Sequence, residues 1–190
     1  DFNEYLTFCR IGEESLGGKG RGLAFLDSLI RRHNLSEKFE KVQIVIPRTV
    51  VIDTDLFDEF MEQNNLYKIA SSENDDKKIL EKFLKASLPN RLYHDLQNYA
   101  KKIQNPVAVR SSSKLEDSHF MPFAGVYRTY MVPHSKDLKR MTDMLCDAIK
   151  CVYASVYYKE SKAYMMSTSS VIDEEKMAII LEEVCGKAYQ

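Results

Sequence analysis

Five of the chain's seven glycines, Gly12, Gly17, Gly18, Gly20 and Gly22, fall within eleven residues near its start, with Lys19 among them. Glycine lets a backbone turn sharply or lie against a ligand without a Cβ clash. The run Gly17-Gly18-Lys19-Gly20-Arg21-Gly22 leads into a segment whose Leu23, Leu26, Leu29 and Ile30 recur at helical spacing. It therefore abuts a helix N-terminus, where free N–H groups and the positive end of the helix dipole favour an anion. Lys19 adds a point charge. The two common nucleotide loops do not fit. A Walker A loop counted from Gly12 has its second glycine at Gly17, but Gly18 displaces the lysine by one and Gly20 stands where the magnesium-binding hydroxyl belongs. A dinucleotide fingerprint would need its third glycine at Leu23 or Phe25. A plain glycine turn before a helix accounts for the same residues.

A second candidate is Arg110, delivered by the apolar strand Pro106-Val107-Ala108-Val109 and followed by Ser111, Ser112 and Ser113. A guanidinium there carries permanent charge and a fork of donors suited to phosphate, and the hydroxyls supplement it. An ion pair with Glu116 or Asp117 across the next turn is the structural alternative. Phe123-Ala124-Gly125 opens a strand from Val126 to Val132; Gly125 permits close backbone approach to a ligand and Thr129 lends a hydroxyl. An ordinary hairpin turn would use the same residues. Glu182 and Glu183 lie in the strand-like segment Met177 to Val184, where alternation puts them on opposite faces and excludes a carboxylate dyad. His33, His94, His119 and His134 are far apart, and no nucleophile-base pair can be read from them.

These side chains need elements to hold them. Residues 20–33 read as an amphipathic helix. Val42 to Pro47 and Thr49 to Ile52 are short and β-branched, as in strands interrupted at Pro47. Asp53 or Thr54 can cap a helix carrying Leu56, Phe57, Phe60 and Met61. Ser71 to Asp76 reads as an exposed loop before a helix with Ile79, Leu80, Phe83 and Leu84 inward, and Leu92, Leu96, Tyr99 and Ile103 mark another after Pro89. The longest helix is expected over 136–159. Together these segments predict an α+β fold, a mixed sheet packed by amphipathic helices. The last strand has nothing after it to cover its faces, which suggests that the natural protein continues, and the absence of an initial Met suggests trimming.

With 27 Lys plus Arg against 28 Asp plus Glu, the net charge of −1 argues against a nucleic-acid arm or a polybasic membrane surface. Hydrophobic residues at 44% and only five prolines are the composition of a chain that buries a core. The longest apolar runs fall far short of the roughly 20 residues that span a bilayer, and Asp1-Phe2-Asn3-Glu4 has no signal-peptide character. Cys9, Cys146, Cys151 and Cys185 show no C-x-x-C pair and no histidine at metal-ligand spacing. Free, largely buried thiols in a cytoplasmic protein are expected.

Taken in order, several motifs resemble one family. They are Gly17-Gly18-Lys19, Ile46-Pro47 with Val50 to Phe60, Val107-Ala108-Val109-Arg110-Ser111-Ser112, Glu116-Asp117, Phe123-Ala124-Gly125 and Met177 to Val184. The resemblance is to the N-terminal nucleotide-binding domain of phosphoenolpyruvate synthase (pyruvate, water dikinase) and the related pyruvate phosphate dikinase. It covers nearly the whole chain, so residues 1–190 are expected to be the upstream portion of an ATP-grasp domain, ending before its second, magnesium-binding subdomain. The resemblance implies that Lys19 and Arg110 contact ATP phosphates, with Gly17, Gly18 and Ser111 beside them. It also implies that a loop bearing Gly125 and Thr129 closes over those phosphates, and that Glu182, Glu183 and Val184 hold the adenine. The family usually has Gln where Glu182 stands, and a carboxylate accepts but does not donate. It usually has Asn or another polar residue where Gly20 stands.

For the full enzyme, the resemblance implies that ATP phosphorylates a histidine on a mobile domain. That domain carries phosphate to pyruvate on another domain of the same chain, giving phosphoenolpyruvate, AMP and phosphate. Mg2+ ligands are expected downstream, and a homodimer is compatible with the family. None of the four histidines lies in a phosphohistidine motif, so these residues alone are expected to bind nucleotide weakly and transfer nothing. The alternatives are another dikinase of the family, acting on pyruvate plus phosphate, a glucan or an antibiotic, and a non-catalytic nucleotide-sensing module.

Overall fold

The computed structural model describes residues 7–113, 127–167 and 176–186. Five strands, β1 (Phe8–Ile11), β2 (Thr49–Ile52), β3 (Val107–Ser113), β4 (Thr129–Val132) and β5 (Met177–Glu183), form one open sheet in the order β1-β2-β5-β3-β4. β1 runs parallel to β2, and the other neighbours are antiparallel. The helices are α1 (Gly17–Arg32), α2 (Thr54–Gln63), α3 (Leu66–Ser72), α4 (Asp76–Lys85), α5 (Asn90–Ala100), α6 (Leu138–Ser155) and α7 (Lys159–Ser167). This is the mixed α+β architecture expected from the residue pattern, and it is compatible with an ATP-grasp-like domain.

β5 lies between β2 and β3, paired along its whole length with β3 from Val107↔Glu183 to Ser113↔Met177. Both of its faces are covered by elements that precede it. Ile179 and Leu181 join the main core with Val50, Ile52, Val107 and Val109. On the other face, Ala178 and Ile180 pack with Val51 against Leu16 and Leu23 at the start of α1.

The larger core is built by helices whose apolar residues recur every three to four positions. Phe57 and Phe60 of α2 meet Tyr153 of α6 at ring-centroid distances of 5.0 and 5.5 Å, and Phe60 meets Phe83 of α4 at 5.8 Å. Such pairs contribute about 0.5–1.5 kcal/mol each beyond area burial. Asp75 and Asp137 start α4 and α6 by accepting from Lys77 N and Arg140 N, each capping bond worth about 1 kcal/mol.

Several expectations are corrected. Val42 to Pro47 forms no strand; Val42 and Val45 are exposed, with only an isolated Phe39↔Val42 bridge. β1 takes the edge beside β2, so the preceding segment has no ladder to join. Ser71 and Ser72 continue α3, their hydroxyls donating to the carbonyls of Tyr67 and Lys68 at 2.8 Å. The long helix divides between Ser155 and Lys159. Of the thiols, Cys146 is buried, Cys9 and Cys151 are half-buried and Cys185 is exposed.

Lys162 of α7 is nearly buried and donates to Ala70 O at 2.7 Å and Glu73 O at 2.6 Å, tying α7 to the C-terminal end of α3. Desolvation holds its ammonium below the usual lysine range, ahead of the opposing pull of Asp76 and Glu73. Keeping it charged therefore opposes folding at neutral pH, and stability rises as pH climbs from the lowered value towards the ordinary one. Lys162→Met is expected to lower stability by about 2 kcal/mol in urea denaturation, because the two carbonyls lose their donor.

Candidate functional site

The site is built where α1 begins and β3 ends. Gly17 has φ +66° and lies so close to β3 that a Cβ there would sit 1.9 Å from Ser112 O. Only glycine fits both the left-handed backbone and the contact. The Ser112 hydroxyl, fully buried, accepts from Gly20 N at 2.9 Å and donates to Leu16 O at 2.7 Å. Lys19 Nζ donates to Ser111 O at 3.1 Å. α1 has no side-chain N-cap, since Leu16 holds that position. Two of its first-turn amides are instead taken by Ser112 Oγ and by Ser15 Oγ, which Gly17 N reaches at 3.2 Å.

The loop before α1 is held by the junction of β2 and α2. Thr54 N donates to Ser15 O at 3.1 Å, Ser15 N to Thr54 Oγ1 at 3.3 Å, and Glu13 N to Asp55 Oδ1 at 3.4 Å. Asp53 does not cap α2 with its side chain; it is buried in an ion pair with Arg10. Desolvation pushes its carboxyl above the usual range despite that guanidinium. Asp53, Thr54 and Asp55 thus position the glycine loop, a role that the local reading of Asp53 or Thr54 as a helix cap does not reveal.

Register defines the rest. Ala108↔Glu182, Arg110↔Ile180 and Ser112↔Ala178 are opposed, as are Arg110↔Thr129. Side chains alternate along a strand, so Arg110, Ser112, Thr129 and Glu182 share the face against which α1 packs. Arg110 Nη1 donates to Glu182 Oε2 at 2.7 Å, with the Arg110 side chain 37% exposed and that of Glu182 15%. The partner expected across a local turn, Glu116 or Asp117, lies outside the described residues, as does Gly125. Along β3, the path from Ser112 to Ala108 is about 13 Å at roughly 3.3 Å per residue, with Arg110 midway and Lys19 at the Ser111 carbonyl.

Other candidates sit differently. Ser111 presents its carbonyl to Lys19 while its side chain is buried on the opposite face, and Ser112 is committed to α1, so neither hydroxyl supplements Arg110 in this arrangement. Glu183 also faces away, 3.4 Å from Arg48 Nη1 and accepting from Asn105 Nδ2 at 3.2 Å. The amides of Glu183 and Val184 donate to Arg48 O and Pro106 O. Their neighbourhood opens into a polar cavity of about 430 Å³ that also takes in Lys101, Lys102 and Gln104. Burial raises the thiols of Cys9 and Cys151 and pushes Cys146 up to about 12, the opposite of what activates a cysteine nucleophile.

A glycine-led helix thus docks on the mixed sheet of an α+β domain, with a lysine and an arginine beside the junction. Over residues 13–189 the chain matches the family described as pyruvate phosphate dikinase, AMP/ATP-binding domain, and it belongs to that family. It is 28% identical over 181 residues to a protein of Bacillus subtilis (strain 168) named uncharacterized phosphotransferase YvkC. That match takes in 94% of this chain and 19% of the relative, so the chain spans about a fifth of the relative's length. The family is defined by an AMP/ATP-binding domain, so ATP binding follows from the match. Among the described residues, no helix is long and apolar enough to cross a membrane.

Proposed function

We propose that this chain is the ATP-binding portion of a phosphoenolpyruvate synthase-like dikinase, in which ATP phosphorylates a histidine on a separate mobile domain that passes phosphate to pyruvate. The observation that carries this reading is the convergence of Lys19 and Arg110: Lys19 Nζ is bonded to the carbonyl of the residue that follows Arg110. Lys19 on α1 and Arg110 in the middle of β3, far apart in sequence, thus come to adjacent positions along that strand. An arginine donates up to five bonds, so Arg110 keeps capacity for phosphate oxygens beyond its bond to Glu182.

The chemistry of this portion is positioning and charge neutralisation. Phosphoryl transfer needs little covalent help from the protein, and cations fixed where negative charge develops lower the barrier. Lys19 and Arg110 do this beside Thr129, which stands opposite Arg110 on β4, and Val184, just past β5, lies towards the adenine. Mg2+, when bound, neutralises the phosphates further; its ligands belong to the second ATP-grasp subdomain. Among the described residues no three His, Cys, Asp or Glu gather as a metal site. The histidine and pyruvate domains belong to the same full-length chain, which works in the cytoplasm and is compatible with a homodimer.

The test is ATP titration and histidine phosphorylation in the full-length protein, comparing wild type with Lys19→Ala and Arg110→Ala. Each variant is expected to weaken ATP binding by about tenfold or more, as loss of a charge-assisted bond does, and to slow phosphorylation. Unchanged affinity and unchanged phosphorylation in both would remove these residues from the site.

A further inference from the structure

The ion pair between Arg110 and Glu182 bears directly on how the site takes a polyphosphate. On its face of the sheet, Glu182 is flanked in register by Thr49 on β2 and Ala108 on β3, neither of them charged. The Thr49 hydroxyl is already committed to Pro47 O at 2.9 Å. Glu182 is ion-paired with Arg110, two positions along the neighbouring strand. Without nucleotide the pair is neutral. An incoming phosphate must therefore draw the guanidinium away from the carboxylate, or share it while being repelled by the carboxylate.

We propose that Glu182 is the internal counter-ion of Arg110, competing with the phosphate chain and so setting how strongly the site favours ligands of high negative charge. The proposal rests on the ATP reading above and gives Glu182 a role at the phosphates in place of a base contact. Its signature is a gradation with ligand charge. Glutamine keeps the shape of the side chain and an oxygen to accept from Arg110, but raises the charge of this face by one. A contact to the base would act equally on every adenine ligand, whatever its phosphates.

The experiment is calorimetric titration of adenosine, AMP and ATP into the full-length protein, wild type and Glu182→Gln, at low and high salt. The pair is partly exposed, so its net worth is about 1 kcal/mol or less. Glu182→Gln is therefore expected to bind ATP up to about fivefold tighter, AMP with a smaller gain and adenosine unchanged. The gain should shrink at high salt, where charges separated by more than a few ångströms are screened. Equal changes for all three ligands would assign Glu182 to the base and overturn the proposal. Weaker ATP binding would make Glu182 a positioning partner of Arg110 and overturn it too, as would no change for any ligand. If wild type binds none of the three, the ATP reading itself fails and this proposal with it. Glu182→Ala, checked for a native melting transition, repeats the comparison without the amide.

Discussion

Gly17→Ala is expected to be the most damaging single-methyl change in the chain, lowering stability by about 4 kcal/mol and uncoupling α1 from β3. Two independent penalties meet at this position. A non-glycine residue in left-handed conformation costs about 1–3 kcal/mol, and Gly17 has φ +66°. The added Cβ would also sit 1.9 Å from Ser112 O and 2.5 Å from Ser112 C. These are backbone atoms, held at this position by pairing with β5, so no side-chain rotation relieves the clash. Either β3 or α1 moves. Movement of α1 breaks the Gly20–Ser112 and Ser112–Leu16 bonds and takes Lys19 from Ser111 O.

For a domain of this size about 1 kcal/mol moves the melting temperature by roughly 2–4 °C, so a fall of about 8–16 °C is expected. Gly22→Ala is the control, in the same helix but exposed, with nothing within 4 Å of the added methyl. It should be neutral or gain up to about 1 kcal/mol from helix propensity. Equal melting temperatures for the two variants would refute the docking argument.

The contrast between these glycines marks how far the residues alone reveal the site. The cluster's place at a helix start follows from the leucine spacing after it, because periodicity is local. Which glycine is indispensable does not, because that depends on Ser112, far along the chain. Arg110 shows the same limit. Its delivery by an apolar strand is legible in Val107-Ala108-Val109, but its partner is Glu182, brought alongside by the insertion of β5 between β2 and β3. A local reading looks for an acid across the next turn. Strand pairing is non-local, and β-propensity follows partners more than backbone preference. Val42 to Ile46 has the composition of a strand and no ladder, whereas Phe8–Ile11, with Arg10 inside it, becomes one by lying against β2. The opposite faces of Glu182 and Glu183 were legible, since alternation is a property of any strand.

Ser112→Ala is the second large effect expected, about 3 kcal/mol from the loss of one oxygen atom. The hydroxyl is fully buried and used in both directions, accepting from Gly20 N and donating to Leu16 O. Removing it leaves the buried Gly20 donor and the part-buried Leu16 acceptor unpaired, at about 1–3 kcal/mol each. A serine buried merely for packing would lose far less, so urea denaturation separates the two cases. Hydrogen exchange should quicken in the first turns of α1 while the amides of β5, held between β2 and β3, stay protected. ATP affinity should fall with it, because Lys19 and the first-turn amides depend on the same junction.

The double variant is the sharper measurement. Once Gly17→Ala has driven α1 from β3, the two Ser112 bonds are already broken, so Ser112→Ala should then cost little more. The paired loss should therefore fall short of the sum of the single losses by about 2 kcal/mol, within the range seen for residues that share one contact. Strict additivity would mean that Gly17 and Ser112 stabilise the chain separately. The glycine-led helix would then owe its place on the sheet to Val51, Ala178 and Ile180 beneath Leu16 and Leu23.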